Sequence, residues 1–154
     1  REARRLVGDV VMTEHHSMGK ETVTDPIALA AYQIDSHNCR RLVIDGKVRN
    51  EGDVQKVSGP PYPISYRSII PAKGECQNLC VPFCLSASHT AFGSIRMEPV
   101  FMILAHSSVE AACLAMEEDV AVQDVLYSEL RQRLLQAGQV LDPVPAVKDL
   151  QAGV

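Results

Sequence analysis

The chain has 154 residues, 46% of them hydrophobic, with a net charge of −4 and a pI near 5.7. That length and apolar content suit a packed globular unit and exclude disorder, while the acidic balance and the short basic pairs Arg4-Arg5 and Arg40-Arg41 exclude a nucleic-acid partner. The longest apolar run, Val100 to Ala105, falls far below the ~20 residues that cross a bilayer, and no charged-then-apolar signal opens the sequence, so a soluble segment with no membrane span is expected.

Taken in chain order, Val10-Val11-Met12 after Gly8 reads as a short buried strand, and His15-His16-Ser17-Met18-Gly19 as a loop with solvated histidines. From Ile27 to Asp35, Ala30, Tyr32 and Ile34 alternate with Ala31, Gln33 and Asp35, which predicts one strand ending in the polar cluster Asp35-Ser36-His37-Asn38. Arg41 to Ile44 and Lys47 to Arg49 flank Asp45-Gly46, the signature of a hairpin with a type I′ turn. Gly59-Pro60-Pro61-Tyr62-Pro63 punctuates the chain. Ile64 to Ile70 and Leu79 to Leu85 then read as two more strands, separated by Pro71-Ala72-Lys73-Gly74.

The pattern changes at Gly93. Pro99 suits the first turn of a helix, and Val100 to Met116 holds no further Pro or Gly; its first half is apolar all round, which predicts a buried helix. A second helix is expected from Asp124 as N-cap through Leu126, Leu130 and Leu134 to Gly138, followed by a loose tail to Val154. No internal repeat interrupts this order.

Five cysteines imply no complete disulfide framework, so reduced thiols are expected. Cys76, Cys80 and Cys84 would share one face of a strand but span about 26 Å at ~3.3 Å per residue, too far for one metal. They are expected as small buried hydrophobes, and no metal site is assigned.

Several blocks together carry a family resemblance. They are Arg4-Arg5-Leu6-Val7-Gly8-Asp9, Tyr32-Gln33-Ile34-Asp35-Ser36-His37, Ile64-Ser65-Tyr66-Arg67-Ser68-Ile69-Ile70-Pro71 with Asn78-Leu79, and the string from Ser86-Ala87-Ser88-His89 to Arg96-Met97-Glu98-Pro99. In this order the chain resembles, over about residues 1–137, the C-terminal half of the bacterial FAD-dependent oxidoreductases. These are similar to the flavoprotein subunit of heterodisulfide reductase and are sometimes labelled xanthan-lyase-like.

The resemblance implies an α/β protein of glutathione-reductase-like architecture, α+β as an isolated fragment. Residues 1–74 would complete a β-rich substrate domain, residues 75–137 the FAD-binding domain, and residues 138–154 a tail. It implies FAD as cofactor in the complete protein, with Gly93, Ser94, Arg96 and Met97 presenting backbone to the isoalloxazine ring ahead of the long helix. A helix N-terminus suits the anionic pyrimidine end of a reduced flavin. Read without the resemblance, Gly93-Ser94 is a turn and Arg96 a solvated cap.

Catalytic candidates are His89, His37 and Arg67. His89 is either a proton donor and acceptor near the flavin or a loop histidine that only donates a hydrogen bond. Asp35 and His37 end a strand, where polar groups often line a cleft. Arg67, between Tyr66 and Ser68, pairs either with a core carboxylate or with an anionic group of substrate or flavin.

No Gly-x-Gly-x-x-Gly occurs, because no two of the nine glycines lie two apart. The expected partners are therefore the missing N-terminal half of the same flavoprotein and a small-molecule substrate. The alternative is a truncated, non-catalytic remnant or binding module without flavin, and last comes a metal or iron–sulfur protein, whose cluster would need cysteines from outside this chain. With Arg1 rather than Met first, the chain is expected to begin inside a larger protein. Localisation stays open, with the cytoplasm favoured.

Overall fold

Three separate two-stranded antiparallel ladders carry the first part of the chain. In the computed structural model, which describes residues 4–57 and 59–143, they combine with four α-helices into a mixed α/β arrangement. Strand β1 (Pro26–Ala30) pairs with β6 (Tyr62–Ser65), β2 (Ile34–Ser36) with β5 (Val54–Lys56), and β3 (Arg40–Ile44) with β4 (Lys47–Glu51).

The β3–β4 hairpin is the one read from Asp45-Gly46: both turn residues have positive φ, 51° and 71°, and Ile44 faces Lys47 across the turn. Its strands are exposed apart from the half-covered Leu42. The single strand expected over Ile27 to Asp35 is instead two, β1 and β2, with Ala31, Tyr32 and Gln33 exposed between them. The chain changes ladder there, which an unbroken apolar alternation does not reveal.

Three other strand expectations are corrected. Ile64 to Ile70 leaves the ladder at Ser65 and winds into a 3-10 turn, Tyr66–Ser68, because the Ser68 hydroxyl donates to the Ser65 carbonyl at 2.7 Å and competes with strand pairing. Leu79 to Leu85 is no strand. Its neighbourhood is held by single bonds to separate segments, Val81 N–H to the Ile69 carbonyl and Leu6 N–H to the Cys84 carbonyl. Cys76, Cys80 and Cys84 therefore do not lie along one strand; all five thiols are free, Cys80 packs against the core, and Cys84 is exposed rather than buried. Of Val10 to Met12, only Met12 bridges, in parallel with Ala87, and Val11 is exposed.

The expected histidine loop contains helix α1 (Glu14–Ser17). His16 is buried, and its Nδ1 accepts from the Thr13 N–H at 3.0 Å, closing a capping box in the manner of a glutamate. Helix α2 (His89–Ile95) follows Ser88, whose hydroxyl oxygen accepts from the Ala91 N–H at 3.2 Å.

Helix α3 (Glu98–Glu118) has Pro99 in its first turn, as read, and packs on β1, where the Ser107 hydroxyl donates to the Ile27 carbonyl at 2.7 Å. It buries Val100, Leu104, Ala111 and Leu114 but not its whole circumference: Met102 is 72% exposed, Val109 60% and Met116 73%. Their spacing of seven residues sets them in one apolar stripe. By length and composition alone, though not by any single apolar run, α3 could cross a bilayer.

Helix α4 (Tyr127–Gln136) begins later than expected, because Val122–Asp124 forms a 3-10 turn and the Asp124 carboxylate pairs with Lys73 at 2.7 Å rather than capping. Leu130 and Leu134 are buried, and Leu141 rejoins the core beyond Gly138. The rest of the expected tail, 144–154, lies outside the described residues. One hydrophobic cluster runs from Met12 to Leu141 and draws on residues from both sides of position 74.

Candidate functional site

Seven residues of α2, about 10 Å of helix at ~1.5 Å per residue, organise the candidate residues at their two ends. Gly93 and Ser94, read as a turn, are buried inside this helix. A Cβ at Gly93 would lie 3.1 Å from the Asp35 carbonyl carbon and from the Ser36 nitrogen, so glycine lets the α2 backbone approach β2. Ser94 accepts from the Tyr62 hydroxyl at 2.6 Å and donates to the Tyr32 carbonyl. Burial pushes the Tyr62 phenol above its ordinary range, so it remains a donor.

At the C-terminal end of α2 the Arg96 guanidinium is almost wholly covered, 9% exposed, and donates to the Asp35 carbonyl at 2.7 and 3.2 Å, with the Asp35 carboxylate at 3.5 Å. Arg96 is thus an internal tie rather than the solvated cap read from its neighbours. Met97 stands at the N-cap of α3 and offers no side-chain cap, which leaves the first N–H groups of a 21-residue helix without one.

At the other end His89 opens α2. Its Nε2 lies 2.9 Å from the Gly52 carbonyl and 3.1 Å from the His37 carbonyl. Carbonyls only accept, so Nε2 carries the proton and Nδ1 the lone pair. His37 contributes its main chain here while its ring sits in an exposed residue.

Arg67 belongs to a different set. Its side chain is 52% exposed, not buried, and of the two partners left open by sequence it takes the carboxylate: Nε donates to Asp25 at 3.0 Å and a terminal nitrogen to Thr24 at 3.1 Å. The Asp25 carboxylate, 9% exposed, also accepts from the Ser65 hydroxyl at 2.8 and 2.9 Å and from the Arg67 N–H at 3.1 Å. Thr24, Asp25 and Arg67 line a recess of about 350 Å³ with Tyr66, Gln123 and Tyr127. Sequence reading missed Asp25, Tyr62 and Cys39; only Ser88, a serine directly before a helical run, carried a signal that could have located the start of α2.

A family model for FAD dependent oxidoreductases matches residues 1–134. This chain belongs to that family. No curated protein and no solved structure matches it. Membership implies FAD, and the residues present fit one end of that molecule: the uncapped start of α3 suits the electron-rich pyrimidine side of the ring. They do not fit its pyrophosphate, since the nine glycines contain no pair two apart.

Proposed function

We propose that residues 1–137 are the C-terminal part of an FAD-dependent oxidoreductase of the heterodisulfide-reductase flavoprotein kind, facing the flavin ring with the start of α3. The observation that carries this reading is the conjunction of the family match with a long, uncapped helix N-terminus held in place by Arg96. Residues 1–74 belong to the substrate domain of the longer protein and residues 75–137 to its FAD-binding domain; within this chain the two share one core. FAD, when bound, supplies the redox chemistry.

The chain's own residues have narrower tasks. Glu98 offers its backbone donor at the start of α3, since the Met97 N–H is already given to the Ile95 carbonyl at 2.7 Å, while Gly93, Ser94 and Arg96 set the position of that backbone through β2. His89, with its tautomer set by two carbonyls, can hold or accept a proton at Nδ1, and His37 borders the same place. Arg67, half exposed beside its recess, can meet an anionic group of a small-molecule substrate while still paired with Asp25.

The nucleotide cradle comes from the N-terminal half of the same flavoprotein, whose βαβ units cover Met102, Val109 and Met116. The isolated chain is inactive. Flavin retention by the longer polypeptide, and its loss when Arg96 is replaced, tests this reading.

A further inference from the structure

The sulfur of Cys39 lies 3.6 Å from Nε2 and 3.8 Å from Nδ1 of His89, across fifty positions of sequence. Cys39 precedes β3, and its N–H donates to the Glu51 carbonyl at 2.7 Å, which holds it beside the end of β4. Gly52, at φ 83°, makes room: a Cβ there would meet the Cys39 sulfur at 2.7 Å. The imidazole is oriented independently of the thiol, since Nε2–H is committed to the Gly52 and His37 carbonyls and the basic lone pair is left on Nδ1.

We propose that Cys39 and His89 form a thiol–imidazole pair that makes Cys39 the nucleophilic thiol of this chain, a modification site for soft electrophiles. The proposal does not depend on the flavin reading. The thiol proton passes to Nδ1, the sulfur attacks an electrophilic carbon, the S–C bond forms as the carbon–leaving-group bond breaks, and the leaving group departs with the electron pair. The imidazolium then returns its proton to water. Charges facing the sulfur are His89 from α2, the neighbouring Arg40, which interacts electrostatically with a thiolate at Cys39, and Glu51, which is paired with Arg40 and so leaves little net charge beside it. His37 contributes its carbonyl to the same place.

Cys84 is the internal reference, because it is also exposed and no described side chain partners its sulfur. The test alkylates the 154-residue chain with limiting iodoacetamide between pH 6 and 9 and reads each cysteine by peptide mass spectrometry. At pH 7 Cys39 is expected to react about tenfold faster than Cys84. His89→Gln, which keeps an amide donor for the two carbonyls and removes the base, should bring Cys39 down to the Cys84 rate and leave Cys84 unchanged. Equal rates for Cys39 and Cys84 in the unmodified chain, or a Cys39 rate untouched by His89→Gln, would overturn the proposal. Should His89→Gln unfold the chain, seen as fast alkylation of the core-packed Cys80, the Cys39 to Cys84 ratio of the unmodified chain decides alone.

Discussion

Arg96 and Asp35 are joined through the backbone: two guanidinium nitrogens donate to one carbonyl, at 2.7 and 3.2 Å, at the seam between α2 and β2. The side chain is covered, so truncation leaves a buried acceptor without these donors. Arg96→Ala is expected to destabilise the chain by ~1–3 kcal/mol, and Arg96→Lys to recover little of it, since an ammonium lacks the planar fork. Urea unfolding midpoints check both. A lysine variant as stable as the parent would show that charge alone matters there.

Asp25 and Arg67 should prove unequal although they form one ion pair. The carboxylate is buried and gathers the Ser65 hydroxyl and the Arg67 N–H, whereas the guanidinium is half exposed and screened. Asp25→Ala is expected to lower stability by ~2–4 kcal/mol, and Arg67→Ala by ~0–1 kcal/mol. Equal losses in the same unfolding assay would contradict this division.

The hairpin and the two long helices were legible because their signals are local: Asp45-Gly46 fixes a turn, Pro99 begins α3, and Gly138 ends α4. The break between β1 and β2 was not, since residues 31–33 continue the alternation and only the choice of partner, β6 or β5, separates the two strands. Cys76 to Leu85 holds strand-formers whose hydrogen bonds go to scattered segments, a tertiary outcome that no local pattern encodes. At the candidate site, the Gly93 to Met97 string gives no local sign that Gly93 and Ser94 face β2, and Cys39 meets His89 only through the path of the fold.

Alkaline stability follows from buried groups whose neutral forms the fold prefers. Burial pushes the Cys80 thiol up to about 11 and the Tyr127 phenol up to about 12, and it raises Tyr62 and Tyr66 as well. Folded values above unfolded ones give stability that is whole below the unfolded values and lost as pH rises through the window up to the folded ones. The urea midpoint should therefore be insensitive to these groups up to about pH 8.5 and fall from about pH 9 upward, first with the thiol and then with the phenols. Absorbance at 295 nm should show Tyr62, Tyr66 and Tyr127 ionising late. A midpoint that rises above pH 9, or three phenols titrating together near their ordinary value, would be inconsistent with this packing.

The stripe Met102, Val109 and Met116 should be dispensable to the stability of this chain, because all three side chains are largely exposed. Met102→Glu with Val109→Glu is expected to move the urea unfolding midpoint of the chain by the equivalent of no more than ~0.5 kcal/mol per site. A chain that unfolds on these substitutions would place the stripe in its own core.

The most direct measurement is the visible spectrum of the purified 154-residue chain beside that of the longer polypeptide we propose, in which a nucleotide-binding half precedes it. A ring contact without a phosphate cradle retains little ligand, because the charge-assisted contacts and most of the buried ligand surface are absent. The chain alone should be colourless. The longer polypeptide should be yellow with about one FAD per molecule, and Arg96→Ala or Gly93→Leu there should weaken retention or shift the spectrum by displacing the start of α3. Stoichiometric FAD on the isolated chain, or a longer polypeptide whose flavin is indifferent to both substitutions, would contradict the account.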